Sequence, residues 1–325
     1  AVDRALEGEQ GIILSDLNAL PVSGAKRLVT TGGHFAYLKI AEGCDKHCTY
    51  CIIPKIRGNF RSVPMERLIK EAKELAEQGV KELILVAQET TLYGKDLYGE
   101  KCLHRLVEEL CKIAGIRWIR ILYCYPEEIT DELIEVIKKE PKVCHYLDLP
   151  IQHASDSILK RMGRRTSKQE LTDIVKKLRK EIPDIAITTD ILVGFPGEDE
   201  EKIEDTVDVV KKARFSGAFT FIYSKRTGTP AAVMENQVDE EVVKKNFNRV
   251  LEVLNPIILE INKEKVDKTY KVLADDVSAN DPSFITGRLE DNSLVHFKAD
   301  KSLIGEIVDV KITDCKTFYL IGERV

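Results

Sequence analysis

Glu82-Leu83-Ile84-Leu85-Val86-Ala87 is an apolar run with no polar alternation. Before it lies an amphipathic helical pattern entered by Pro64 and stopped by Gly79, with Leu68, Ile69, Ala72, Leu75 and Ala76 at three-to-four spacing. A second helical pattern follows near residues 102–114. An apolar strand set between two helices is buried on both faces, and that requires a parallel sheet covered by helices.

The same unit recurs in both directions. Phe35–Ile40 precedes the first helix. Trp118–Tyr125 leads to a helix near 130–139, Tyr146–Ile151 to one near 167–181, and Ala186–Val193 to one near 199–214, before a sixth strand at Ala218–Tyr223. Six βα units predict an open, crescent-like partial TIM barrel, with a closed eight-unit barrel as the alternative. A long helical pattern runs from Asp239 to about Lys265. Short β-rich runs follow at Tyr270–Ala274, Ser283–Arg288, Leu294–Phe297, Glu306–Ile312 and Phe318–Gly322. Strands at this spacing, with Gly, Asp and Asn between them, predict a small antiparallel β-barrel. The expected organisation is a lead-in over 1–33, an α/β core over 34–262 and a β-domain over 263–325.

The chain has 325 residues with 49 Lys+Arg against 54 Asp+Glu, a net charge of −5. That balance argues against a nucleic-acid partner gripped through its phosphates. No apolar run approaches the length of a membrane span, so no membrane is expected. The opening Ala1-Val2-Asp3-Arg4 carries neither a signal-peptide pattern nor an initiator Met, which suggests a fragment.

Of eight cysteines, Cys44, Cys48 and Cys51 fall within eight residues; Cys102, Cys111, Cys124, Cys144 and Cys315 are scattered through apolar patterns and read as reduced core residues. A reducing cytoplasm is the natural compartment. Gly43-Cys44-Asp45-Lys46-His47-Cys48-Thr49-Tyr50-Cys51 follows the first strand, at the rim where parallel α/β folds build active sites. Three thiolates at spacings of four and three suit an iron–sulfur cubane with one open iron. Structural zinc with His47 as a fourth ligand, in a non-catalytic adaptor, is the competing reading.

The CxxxCxxC spacing with Tyr50 before the third Cys resembles the radical S-adenosylmethionine (SAM) superfamily. Within it, Glu42–Pro54 with Arg57-Gly58 resembles the methylthiotransferase family. So do Leu149–His153, Lys160–Arg165, Asp190–Glu198 and Ser224–Ala232, and the last sixty residues resemble a TRAM domain. The resemblance implies a 4Fe-4S cluster held by the three cysteines, with SAM chelated on the open iron and cleaved to a 5′-deoxyadenosyl radical.

It also implies a SAM site on the rim. Glu89 would pair with the SAM ammonium with Thr90 as a supporting donor, and Gln152, closing the fourth strand, would reach the ribose hydroxyls. Tyr50 and Ile52 would shape the adenine pocket, while Gly194 and Gly197 allow close backbone approach. Asp190 is a charge inside an apolar strand, so it needs either a protein partner or the ligand. Lys160, Arg161, Arg164 and Arg165 form a basic cluster at the head of a helix and read as a solvated run, with contact to an acidic substrate segment or a neighbouring domain as the alternative.

The family divides between enzymes acting on tRNA adenosines and a branch acting on the β-carbon of an aspartate of small-subunit ribosomal protein twelve. Gln88–Gly94, Tyr123–Pro126 and Gln152–Asp156 resemble the protein-modifying branch; Thr227–Ala232 resembles the tRNA branch. Residues 263–325 carry 10 Lys+Arg against 12 Asp+Glu, which suits a basic protein partner, the ribosomal protein or the ribosome, better than RNA. A reductase or flavodoxin-type protein would supply the electron. Family members carry a second 4Fe-4S cluster on an N-terminal domain. Residues 1–43 hold no cysteine, so the chain is expected to be the radical-generating part alone.

Overall fold

The computed structural model describes residues 6–8, 11, 16–19, 27, 29–279 and 281–325. The expected lead-in over 1–33 lies largely outside them. The chain runs β1 (Phe35–Lys39), the short hairpin strands β2 (Ala41–Glu42) and β3 (Arg61–Ser62) with α1 (Ile53–Arg57) between them, α2 (Met65–Glu77), β4 (Glu82–Val86), α3 (Lys95–Tyr98), α4 (Leu103–Cys111), β5 (Trp118–Ile121), α5 (Asp131–Lys139), β6 (Val143–Asp148), α6 (Asp156–Arg161), α7 (Lys168–Glu181), β7 (Ala186–Val193), α8 (Glu200–Ala213), β8 (Gly217–Ile222) and α9 (Glu240–Lys263).

Strands β1, β4, β5, β6, β7 and β8 form one parallel sheet in that order. Among the described residues β1 and β8 each pair with one neighbour, so the sheet is an open crescent and not an eight-stranded barrel. Burial accounts for the composition: β4 places Glu82, Leu83, Ile84 and Leu85 in the interior, under helices that contribute Leu68, Leu75, Leu106 and Leu110. Local caps set the helix starts. Thr130 accepts from Leu133 N, Asp199 accepts from Lys202 N, and Ser167 with Glu170 forms a reciprocal capping box.

Three elements depart from the sequence reading, and each departure shapes the rim. The strand expected to reach Tyr125 ends at Ile121, because Tyr123 takes a left-handed backbone (φ 59°) and leaves the ladder. The strand expected over 146–151 spans Val143–Asp148 and ends ahead of Pro150, which has no N–H to donate. Gln152 therefore does not close that strand. With φ 66° it rejoins β7, its N–H donating to Asp190 O (2.8 Å) and its carbonyl accepting from Leu192 N (2.7 Å). The basic cluster does not head a helix: Lys160 and Arg161 end α6, and Arg164 is buried beyond it.

After α9, strands β9 (Thr269–Val277), β10 (Phe284–Leu289), β11 (Leu294–Lys298), β12 (Ile307–Cys315) and β13 (Leu320–Arg324) close a five-stranded barrel around Val272, Ile285, Val295, Phe297, Val310 and Ile312. Four seams are antiparallel. The β11–β13 seam is parallel, where antiparallel pairing was expected throughout.

The barrel packs on the end of the crescent where the strands begin, Leu273 and Ile307 meeting Trp118, Cys144, Tyr146 and Ala186. Buried charges join the two units: Glu82 pairs with Arg120 (2.8 Å) and Arg288 (2.7 Å), Arg288 with Asp275 (2.6 Å), and Asp275 with His34 (3.2 Å). The opposite, carboxyl end of the sheet is thereby left as the working rim.

Candidate active site

The cysteine loop leaves the β1–β2 segment through Gly43, whose φ is 77°. A Cβ there would stand 2.1 Å from the Asn59 carbonyl oxygen, so only glycine fits. Backbone bonds seat the loop: Gly43 N donates to Gln88 Oε1 (2.7 Å), Cys44 N to Gly58 O (3.2 Å), Thr49 N to Met162 O (2.9 Å) and Cys51 N to Cys48 O (2.9 Å). The loop is thus tied to the carboxyl end of β4 and to the turn after α6.

Cys44 and Cys48 are buried and Cys51 half-buried. Burial pushes the Cys44 thiol up to about 11, with backbone Lys46 opposing and Cys48, Glu89 and Cys51 adding to the rise. Burial likewise raises Cys51, with Cys48 contributing. The backbone bonds above hold all three thiols in one loop at this rim. Yet among the described residues no three His, Cys, Asp or Glu side chains gather into a set that would hold a metal ion.

A tetrahedral zinc at about 2.3 Å from each sulfur would draw the sulfurs to roughly 3.8 Å from one another. A cubane takes one thiolate on each of separate irons, and three thiol donors in one loop are the donor chemistry it uses. A thiol raised by burial surrenders its proton only when a metal takes its place, as the interior of a cluster site requires. The donor set, three thiols with His47 exposed to solvent in a left-handed turn (φ 52°), fits a cubane.

Beside the cysteines, Gln88-Glu89-Thr90 follows β4. Glu89 is fully buried. Its Oε1 accepts from Thr91 N (2.9 Å) and the Thr91 hydroxyl, while Oε2 accepts no hydrogen bond and stands 3.8 Å from Lys46 Nζ. Burial pushes its carboxyl up to about 7, with the Thr91 bond and Lys46 opposing. Lys46 is itself nearly buried, bonded to Glu128, 3.6 Å from Glu127 and 4.7 Å from the Tyr125 ring centroid. The Thr90 hydroxyl donates to the carbonyls of Leu122 and Tyr123, so it holds the Tyr123 turn and is not a free donor to the rim.

Across the rim, Asp190 is raised to about 6 by burial and by Asp148, with Gln152 and Arg164 opposing. The left-handed turn at Gln152 is what brings its side chain to Asp190. Gly194 (φ 81°) donates its N–H to Glu198 Oε2 (3.0 Å), and a Cβ there would stand 2.7 Å from a Val243 methyl of α9. Glu198 is fixed by Asn246 Nδ2 (2.8 Å) and faces His153 Nε2 at 3.3 Å. Tyr50 meets Phe195 edge-on at 6.3 Å, and Phe195 meets Tyr223 at 5.5 Å. Ile52 precedes α1, its methyl near Gly228.

Sequence reasoning missed Arg164. It lies over the Tyr125 ring, donates Nη2 to Pro150 O (2.8 Å), and has a buried Nε without a partner. Burial opposes its charge, and the Glu127 carboxylate favours it. Tyr125, whose hydroxyl is 3.7 Å from Cys48 Sγ, was also missed. Neither leaves a periodic signal, because each reaches the rim through a tertiary turn.

The Radical SAM superfamily profile matches residues 38–210 and the TRAM domain profile matches residues 263–325. The ribosomal protein uS12 methylthiotransferase RimO of Lachnoclostridium phytofermentans is 52% identical over 328 residues, spanning 99% of this chain and 74% of that protein. The RimO of Clostridium tetani is 46% identical, spanning 99% and 73%. Among solved structures, the radical SAM enzyme coproporphyrinogen III oxidase (HemN) of Escherichia coli superposes with a TM-score of 0.53 at 13% identity, covering 79% of this chain and 67% of that one. TsrM of Kitasatospora setae, a radical SAM methyltransferase, gives 0.51 at 16% identity over 61% and 38%. These two likenesses concern the fold.

Proposed function

We propose that this chain, which belongs to the radical SAM superfamily and within it to the RimO methylthiotransferases, adds a methylthio group to the β-carbon of an aspartate in ribosomal protein uS12. The observation that carries the reading is the thiol triplet Cys44, Cys48 and Cys51, two buried and one half-buried in a single loop, with the Glu89 oxygen that accepts no hydrogen bond at the same rim. Those thiols would hold a 4Fe-4S cluster, which would supply the electron for reductive cleavage of SAM.

The chain's own groups bind and orient. Glu89 Oε2 takes the SAM ammonium in a pocket where charge-assisted bonds are strong. The Arg164 guanidinium, with Nε free, takes the SAM carboxylate, a role the sequence reading had left unassigned. Asp190 and Gln152 face the ribose hydroxyls, and Tyr50, Ile52 and the Gly194 backbone border the adenine. Thr90 supports the site indirectly, by fixing the Tyr123 turn.

The five remaining cysteines are dispersed and buried, so this chain offers ligands for one cluster. The sulfur-supplying second cluster then rests on cysteines this sequence does not contain. The electron comes from a reductase or flavodoxin-type partner, and the enzyme works in the cytoplasm. No helix among the described residues is long and apolar enough to cross a membrane.

The test is anaerobic reconstitution of the chain and its Cys48→Ala variant, with iron and sulfide analysis, SAM cleavage, and binding of uS12 against a tRNA anticodon arm. About four irons per wild-type chain, cleavage lost in the variant and preference for uS12 are expected. One zinc and no colour would overturn the cluster, and preference for the tRNA arm would overturn the substrate. The chain alone is expected to cleave SAM without forming methylthio product.

A further inference from the structure

The outermost strand of the crescent is unusual for an edge. β8, Gly217-Ala218-Phe219-Thr220-Phe221-Ile222, carries no charge and no proline, the features that normally keep an edge strand from pairing with a stray chain. It hydrogen-bonds to β7 on one side and, among the described residues, to no strand on the other. Phe219 and Phe221 are 68% and 50% exposed and their rings stack at 6.5 Å, 17° from parallel. Two large exposed aromatics on an uncovered edge call for an occupant.

The register shows which way they face. Phe219 lies opposite Asp190 and Phe221 opposite Leu192. Residues directly opposite one another project from the same face of a sheet, so both phenyl rings share the face of Asp190. Beyond the strand come Lys225 and Arg226, both exposed, in a loop tied to the cysteine loop where Ala231 N donates to Thr49 O (2.9 Å). The sequence from strand to loop therefore offers two apolar rings and then cations in the loop tied to the thiol triplet.

We propose that β8 is the docking edge for an extended segment of the substrate protein, which adds to the sheet as a further strand, lays apolar side chains on Phe219 and Phe221, and delivers an acidic side chain toward Arg226 and the rim. The proposal rests on the protein-substrate reading above and names the surface that serves it. Three features select a peptide as occupant. The open edge presents backbone donors and acceptors that a polypeptide satisfies residue by residue. The rings alternate with Thr220 at the two-residue period of a strand. The cations at the mouth complement a carboxylate, the group borne by the proposed target residue. A hydrogen atom is abstracted only at contact distance, and the face shared by Phe219, Phe221 and Asp190 leads a segment to the rim.

The experiment uses the cluster-loaded full chain with recombinant uS12 as the probe. Hydrogen exchange on the wild-type protein is expected to slow across residues 217–222 when uS12 is added. Phe219→Ser/Phe221→Ser is expected to weaken uS12 binding at least about tenfold while the SAM dissociation constant stays unchanged. Unchanged exchange in β8 with uS12 bound overturns the proposal without a variant, as does undiminished binding by the double variant. Protection of β8 by a tRNA anticodon arm, or by a further domain of a longer form of this protein, also overturns it. Failure of the wild-type chain to bind uS12 at all sinks the protein-substrate reading itself, so the two failures are distinguishable.

Discussion

The Arg164 guanidinium lies 4.2 Å from the centroid of the Tyr125 ring, and the hydroxyl of that ring is 3.7 Å from Cys48 Sγ. A buried cation, an aromatic face and a cluster thiol thus form one column under the rim. The cation is held by the ring and by the Pro150 carbonyl, neither of which neutralises it. A desolvated arginine with no carboxylate hydrogen-bonded to it is costly to keep unless a ligand anion completes it.

Arg164→Met should therefore separate binding from folding. The Pro150 carbonyl loses a partner, for about 1–3 kcal/mol of stability. The larger effect is expected on SAM, with affinity falling at least about tenfold by loss of a charge-assisted pair. Equilibrium dialysis of SAM against the iron-loaded variant checks this; iron content near wild type with unchanged SAM affinity would refute the assignment.

Gly43→Ala tests the seating of the cysteine loop. Its Cβ would overlap the Asn59 and Gly58 carbonyl oxygens at 2.1 and 2.6 Å, both of them backbone atoms, and φ is 77°. The loop must shift, and a cluster site tolerates little displacement of its thiols. Reconstituted iron should fall well below the wild-type value while circular dichroism stays near native. Full iron loading would show that the loop yields without cost.

Much of the architecture is legible locally. Strand β4 reads as parallel because its apolar character reflects burial on both faces, and the three cysteines sit within one loop. What escapes is set by contacts between distant segments. Tyr123 and Gln152 turn left-handed because Asp148 and β7 hold them: Tyr123 N meets Asp148 Oδ2 at 3.2 Å, and Gln152 bridges Ile191. Arg164 looks like one of a solvated run until the Tyr125 ring covers it. The parallel β11–β13 seam depends on barrel closure, which strand spacing does not encode.

The contact between the α/β core and the barrel offers a stability test. Glu82 is buried with Arg120 at one oxygen and Arg288 at the other. Arg288→Met leaves that carboxylate half-compensated, and breaking a buried pair costs about 3–5 kcal/mol. The melting temperature should drop by several degrees, and calorimetry should resolve two transitions as the barrel uncouples from the core. A cycle with Glu82→Gln should show strong non-additivity, since the two charges share one network. Additive effects would mean that the barrel is held by the apolar contact of Leu273 and Ile307 alone.

Glu89 makes SAM affinity a function of pH. Burial lifts its carboxyl from the ordinary value of 4.5 to about 7. Between those values the folded SAM-free protein holds a proton that the unfolded chain has released, so this group makes stability fall as pH rises through that window. An ammonium ligand requires the opposite state, because only the carboxylate offers Oε2 as an anion. Below about pH 7 binding must expel the proton, and the SAM dissociation constant should fall about tenfold per pH unit on approaching that value, then level off. Titrations in two buffers of different ionisation enthalpy should show proton release on the acid side and none above the plateau. Glu89→Gln keeps the shape and the Thr91 acceptor but removes the titration, so its weaker binding should be flat with pH. A sloping profile in that variant would move the titration to another group, and a flat one in the wild type would mean that the ammonium does not meet Glu89.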